Sequence, residues 1–317
     1  MRLLASSKQA QFALNQLSQV QRYFVNKLER VSTGTTFNVV EWLRDNGTHG
    51  GGERFEASSN MVFNRASVNV SQVQYEDKPE KAFLSATALS TIIHPQHPLA
   101  PSIHIHVSWT ELKNGQQYWR LMADLNPAVE DKSDTILFNT MLKQSTGEFF
   151  DSGIEQGEVY FHIPALNKHR GVSHFYLEGF IGNESTPSTF AIDFATAAID
   201  CYIAILNEKH ARLGPPSDEE LQQQIDYHTL YFYQVLTLDK GTTAGLLIHD
   251  QNDVGTLGSL PAYINRELLS SWITLSPETQ QPLVNALVAL LPPQKNVHVT
   301  PEIKAKIAIA MRQHYSK

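Results

Sequence analysis

The chain has 317 residues, 42% of them hydrophobic and 18% charged, with a net charge of −7 at neutral pH. That composition suits a globular protein with a large core, and the negative balance disfavours bulk binding to nucleic acid or an anionic membrane, so an anionic ligand has to be held by local cations. A single cysteine, Cys201, excludes an intrachain disulfide framework and a cysteine-based zinc site, and fits a reducing cytoplasm.

The start, MRLLASSKQAQFALNQ, lacks the long apolar segment of a signal peptide, and no stretch approaches the roughly 18 apolar residues of a membrane span. Leu17, Val20, Phe24, Leu28 and Val31 recur at helical spacing, which predicts a helix over 7–31. Gly50-Gly51-Gly52 reads as a loop, with no phosphate-cradle motif around it. Strands are predicted over 61–74 (alternating from Ala66), 84–93, 101–110 and 117–125, where Asn126-Pro127 ends the run. A helix over 133–144 with Ser133 as N-cap follows, then a strand over 170–181 and a long helix over about 188–212 capped by Ser188. Cys201 lies within that helix and reads as a small buried hydrophobe rather than a nucleophile. After the breaker Gly214-Pro215-Pro216, Ser217 and Glu220 make a capping box. TLYFYQVLTL at 229–238, the turn DKGT and TAGLLIH read as a β-hairpin. Ser276-Pro277-Glu278 and Thr300-Pro301-Glu302 each predict a helix start in a helical C-terminal part. Strands in series, with helices before, between and after them, predict an α+β fold with a mainly antiparallel sheet and no βαβ dinucleotide unit.

Ser102, His104, His106 and Ser108 alternate with Ile103, Ile105 and Val107, so both histidines point to one face of a strand. Such a pair suits a metal site completed by a third ligand, an acid–base role near neutral pH, or a solvated face, and the spacing leaves all three open. Asp239 follows a very apolar run; it is either an ordinary turn residue or a partly desolvated carboxylate able to act as a base. Arg170, ahead of another apolar strand, is either a surface charge or a bidentate clamp for a carboxylate.

These pieces occur in an order that resembles the oxygen-dependent coproporphyrinogen III oxidases. The resemblance covers about residues 38–262 and rests on EWLRDNGTHGGG, VFNRASVNVSQV, TALSTIIHPQHPLAPSIHIHV, the tail of WRLMADLNP (the family's FGGGFDLTP), HRGV, LTLDKGTTAGLL (the family's LVYDRGTKFGL) and SLP at 259–261. It implies a single domain over 1–317 with a divergent helical C-terminal part, a large antiparallel sheet covered by helices on both faces, and a homodimer. The implied chemistry is oxidative decarboxylation of coproporphyrinogen III to protoporphyrinogen IX with dioxygen as co-substrate and no organic cofactor. His104 matches the family's proton donor and Asp239 the acidic residue of the DRGT turn, a pyrrole partner. Ser90 matches a substrate-contacting serine, Asp124 the aspartate of DLTP, and Arg170 a carboxylate-clamp arginine.

The chain also departs from the family pattern. Ser108 stands in place of an arginine and His106 in place of an asparagine, both at substrate-binding positions. Lys240 replaces the arginine of DRGT and keeps the charge without the planar fork. IHDQNDVG carries no arginine where the family has one, and Ser173 and His174 replace paired glycines. Of four histidines proposed to bind a divalent metal in bacterial members, only His94 and His104 match; Leu137 (or the nearby Asn139) and Ala165 hold the other positions, so no metal is expected. A tetra-anionic substrate would meet fewer arginines unless His106 is protonated and restores a charge. The alternatives are a tetrapyrrole- or polyanion-binding protein without turnover, or an enzyme with a less anionic substrate.

Overall fold

The computed structural model describes all residues except 33, 59–61, 183–188, 249–251 and 317. Helix α1 (Lys8–Val31) precedes six strands: β1 (Asn38–Leu43), β2 (Gly50–Ser58), β3 (Phe63–Gln74), β4 (Phe83–Pro95), β5 (Ser102–Leu112) and β6 (Gln117–Asn126). Helices α2 (Lys132–Thr146) and α3 (Phe150–Phe161) follow, then a short ladder of β7 (His162–Ile163) and β8 (Lys168–His169), and β9 (Ser173–Phe180). The rest comprises α4 (Phe190–Arg212), α5 (Asp218–Thr237), α6 (Lys240–Ile248), α7 (Asp253–Thr256), β10 (Tyr263–Asn265), α8 (Arg266–Ser271), α9 (Gln281–Leu290), β11 (Asn296–His298) and α10 (Pro301–Tyr315).

Seven strands form one sheet in the order β1-β2-β3-β4-β5-β6-β9, antiparallel throughout. The fold is therefore α+β, as the pattern predicts. Ile103, Ile105 and Val107 face α1 and α4, in a core with Leu17, Phe24, Phe194, Ile199 and Tyr202. The opposite face is covered by α5 and the C-terminal helices, where Ile92 of β4 joins Tyr231, Val235 and Leu287. By length and composition α4 is apolar enough to cross a membrane, contrary to the sequence expectation. Its apolar residues Phe194, Ala198, Ile199, Tyr202 and Leu206 lie fully buried in the core against the sheet.

Other expectations also change. The glycine run is a strand, not a loop. A Cβ on Gly51 would sit 2.2 Å from the Trp42 carbonyl, and its φ of +151° is rarely adopted by other residues, so the glycine permits close strand approach. Residues 229–238 are helical: the capping box of Ser217 and Glu220 starts α5, which runs unbroken to Thr237. Residues 231–237 are buried all round because α5 lies between the sheet and the C-terminal helices, and a short apolar run buried on every side reads like a strand. The expected hairpin partner is α6. Helix α2 is capped by Asp131, which accepts the Ser133 N–H at 2.9 Å, rather than by Ser133. Ser188 lies outside the described residues, and α4 begins after Thr189 without a side-chain cap. Ser276 starts no helix; its hydroxyl bonds the Trp272 carbonyl and Tyr233, and α9 begins at Gln281. Thr300 caps α10 as expected.

Helix α3 lies directly on β9 through two glycines one turn apart. A Cβ on Gly157 would stand 2.7 Å from the His174 carbonyl oxygen, and one on Gly153 2.0 Å from the Phe175 ring. Backbone cannot yield as a flexible side chain does, so Gly157→Ala should destabilise the protein by about 1–3 kcal/mol. Urea unfolding should show a lower midpoint at unchanged slope; an unchanged midpoint would count against this packing.

Candidate active site

The strand register builds the site. Three rows cross the sheet on the face turned to α5: Ser67, Ile92, His104, Asp124 and His174; then Asn69, Ser90, His106, Met122 and Tyr176; then Ser71, Ala88, Ser108 and Arg120. Each residue lies opposite its neighbour on the next strand, so side chains distant in sequence share one polar surface.

Asp124 and Arg170 form the buried centre, at 0% and 2% exposure. The Asp124 Oδ2 accepts Arg170 Nη2 at 2.8 Å and Asn126 Nδ2 at 2.6 Å, while Oδ1 lies 2.8 Å from His104 Nδ1. Arg170 Nη1 donates to Gln234 Oε1 of α5 at 2.7 Å, and the guanidinium is sandwiched between the Phe161 and Tyr231 rings at 4.5 and 4.9 Å. Burial alone would raise the Asp124 pKa; the charge of Arg170 and the contact with His104 outweigh it and bring it down to about 2. With a carboxylate at Nδ1, that nitrogen carries the proton, so the 3.4 Å approach of Arg170 Nη2 to it is two donors sharing one carboxylate. No described residue takes His104 Nε2, and the ring lines the cavity. His104 is thereby oriented to exchange a proton with a molecule in the cavity.

His106 is held differently. Its Nδ1 lies 2.8 Å from Ser90 Oγ and its Nε2 3.1 Å from Ser108 Oγ. Burial, then the positive charges of Arg120 and His104, lower its pKa to about 3. His106 is therefore neutral near pH 7 and does not restore the charge absent at Ser108. Ser108 itself is buried beside His106 and does not line the cavity. Asp239 joins α5 to α6 and accepts the Tyr160 hydroxyl and the Thr242 N–H, both at 2.6 Å. Burial acts to raise its pKa, but these hydrogen bonds and Arg170 lower it below the usual carboxylate value, so Asp239 is ionised.

The inner cavity, about 290 Å³, is lined by His104, His106, Ser90, Asp239, Arg170 and Arg120 among others. It adjoins an outer cleft of about 650 Å³, and both share Arg120, Tyr160 and Gly241 as walls. Lys240 is exposed and lines only the outer cleft, so it does not converge with His104. The structure thus brings Ser90, His104, His106, Asp239 and Arg170 together. It turns Asp124 and Arg170 towards each other rather than leaving Arg170 as a free clamp, and sets Ser108 and Lys240 aside. Sequence reasoning missed Arg120 and Tyr160. The period-two spacing of Arg120, Met122 and Asp124 along β6 carried the signal for the arginine, whereas Tyr160 comes from a helix whose docking no local pattern reveals.

Both ring nitrogens of His94 are engaged, by Ser102 Oγ at 2.9 Å and the Ser259 carbonyl at 3.1 Å. Leu137 and Ala165 offer no donor. Among the described residues no group of three or more His, Cys, Asp or Glu is placed to hold a metal ion, so these residues do not fit a four-histidine metal site.

An antiparallel sheet with one polar face, roofed by helices and carrying a carboxylate-oriented histidine, defines an α+β protein with a polar cavity of the kind that small-molecule sites occupy. The family model described as coproporphyrinogen III oxidase matches residues 13–281, wider on both sides than the resemblance over 38–262. Relatives include the oxygen-dependent coproporphyrinogen-III oxidases of Rattus norvegicus (mitochondrial), 24% identical over 80% of this chain and 62% of that protein, and of Homo sapiens (mitochondrial), 25% over 77% and 59%. That of Rickettsia akari is 27% identical over 71% of this chain and 83% of its own. The chain spans about three-fifths of the length of those mammalian relatives. It belongs to the coproporphyrinogen III oxidase family, an oxidoreductase family.

Asp124→Ala leaves Arg170 buried without its counter-charge and should cost about 3–5 kcal/mol in urea unfolding; a loss under 1 kcal/mol would contradict the buried pair. Because the folded pKa of Asp124 lies below its unfolded value, its contribution, on the order of 2 kcal/mol, is present above about pH 4 and is lost as pH falls towards 2. In an NMR titration the His106 ring should show no midpoint between pH 5 and 8; a midpoint above 6 would show that it carries charge near neutrality.

Proposed function

We propose that this protein catalyses the oxidative decarboxylation of coproporphyrinogen III to protoporphyrinogen IX, with dioxygen as oxidant. The observation that carries the reading is the convergence of His104, held by Asp124, and ionised Asp239 on one cavity in a member of this family. In each turn a propionate loses its carboxyl carbon as carbon dioxide and one hydrogen from the carbon next to the ring, leaving a vinyl group. The two electrons and two protons released reduce dioxygen to hydrogen peroxide. Asp239 suits the pyrrole N–H groups: an anion facing the ring nitrogens stabilises positive charge as the electron-rich ring gives up electrons. His104 Nε2 exchanges a proton with the reacting group, while Asp124 and Arg170 hold its tautomer and position. Ser90 and neutral His106 supply hydrogen bonds along the cavity floor. The reading needs no organic cofactor and no metal from these residues. It takes the protein as a cytoplasmic homodimer folded as one domain, for which light scattering should give twice the chain mass.

One observation favours a second reading, a tetrapyrrole-binding protein without turnover or an enzyme with a less anionic substrate: Arg170 is engaged within the protein. Incubation of the pure protein with coproporphyrinogen III in air separates the two, with protoporphyrin fluorescence followed after oxidation. The proposed enzyme forms product, and Asp239→Ala and His104→Gln each lower its rate by roughly 10²–10⁴-fold. Product no greater than in Asp239→Ala, together with saturable binding, supports the second reading instead.

A further inference from the structure

We infer that Arg120 is the residue that clamps a substrate carboxylate, at the junction of the inner cavity and the outer cleft, by exchanging its internal partner Glu178 for the ligand. The inference rests on the tetrapyrrole reading above. The inner cavity, about 290 Å³, lies at the small end of the roughly 300–1,000 Å³ range of ligand sites. A four-ring macrocycle with four carboxylates placed in the inner cavity is within reach of the adjoining outer cleft. Arg120, Tyr160 and Gly241 line both chambers, so a macrocycle that reaches from one into the other lies against these residues.

Of the arginines and lysines among the described residues, only Arg120 and Arg170 line the inner cavity. Arg170 is nearly inaccessible and both of its Nη atoms are engaged by Asp124 and Gln234. Arg120 differs on each count. Its side chain is 31% exposed, and its Nη2 donates to the half-exposed Glu178 rather than to a buried partner. Glu178 is 46% exposed, so it can turn to water when a ligand carboxylate arrives. Tyr176, which donates to Glu178, stacks on Tyr160 at 4.5 Å. Tyr160 in turn donates to Asp239, so the junction is tied directly to the proposed pyrrole partner. An arginine suits this exchange: its planar fork offers parallel N–H groups to a second carboxylate without moving the chain.

The test is anaerobic calorimetry with coproporphyrinogen III and with its uncharged tetramethyl ester. Arg120→Gln should weaken binding of the tetra-acid by roughly 10- to 100-fold, the usual effect of one charge-assisted hydrogen bond, and leave ester binding unchanged. Glu178→Gln, which removes the internal competitor, should tighten binding of the acid several-fold, an effect that a purely structural role for the pair does not produce. In turnover, Arg120→Gln should raise KM more than it lowers kcat. Equal affinity of wild type and Arg120→Gln for the acid, or equal losses for acid and ester, overturns the assignment. If Arg120→Gln does not fold, Glu178→Gln decides: no gain in affinity for the acid overturns it. Wild-type protein that binds neither macrocycle overturns the tetrapyrrole reading, and this inference falls with it. Turnover without any effect of Arg120→Gln removes this inference alone.

Discussion

The ion pair of Asp124 and Arg170 sets the position of everything else in the site. Two charges at 0% and 2% exposure are tolerated only because each finds partners: His104 and Asn126 for the carboxylate, Gln234 for the guanidinium, and two aromatic rings against its faces. These partners come from β5, β6, the segment before β9, α3 and α5. Any displacement of these elements strands a charge at a cost of several kcal/mol, so the pair ties their positions together. The register of β5 on β6 shares this constraint, since a slip of one residue would turn His104 to the α1 face, away from Asp124.

From that centre the two histidines of SIHIHVS diverge. They share a face and lie two residues apart, yet only His104 has a carboxylate against its ring. His106 has two hydroxyls, and two positive groups are the largest electrostatic influences on it after burial. One ring is therefore oriented by a carboxylate at the cavity wall, while the other is a neutral bridge between strands. The same physics decides the carboxylates. Asp124 is engaged wholly within the protein, whereas Asp239 keeps an ionised group at the cavity wall because Tyr160 and Thr242 supply the hydrogen bonds that water would.

The antiparallel sheet was legible because period-two alternation is a local signal, and β3, β4 and β5 carry it along part of their length. Helix α5 was not, because its second half is buried on all sides and so loses the amphipathic period; its capping box, eleven residues upstream of Tyr231, was the only local sign of its type. Within the site, His104, His106, Asp239 and Arg170 were found through local patterns and Ser90 through the family resemblance, and the structure places them around one cavity. What neither could reveal is the direction in which a charge is engaged. Arg170 looks like a ligand clamp in sequence and proves to be Asp124's partner, because that depends on β6 and on α5, neither adjacent to it in the chain.

A cross-strand view also explains how the site can change residues without losing its chemistry. The resemblance places an arginine where Ser108 stands, and Arg120 lies on the neighbouring strand. Ser108 and Arg120 are direct partners on β5 and β6 and point to the same face, with side chains that begin about 5 Å apart. An arginine side chain is longer than that separation, so its guanidinium serves nearly the same volume from either strand. Removing a cation from one position and supplying it from the opposite one therefore preserves the field at the cavity mouth. It alters the approach, since the charge now enters from the side of β9 and meets Glu178. The protein can then depart from its family at the residues that motifs record and still keep a cation on this face of the sheet, because two neighbouring strands can each place an arginine over nearly the same volume.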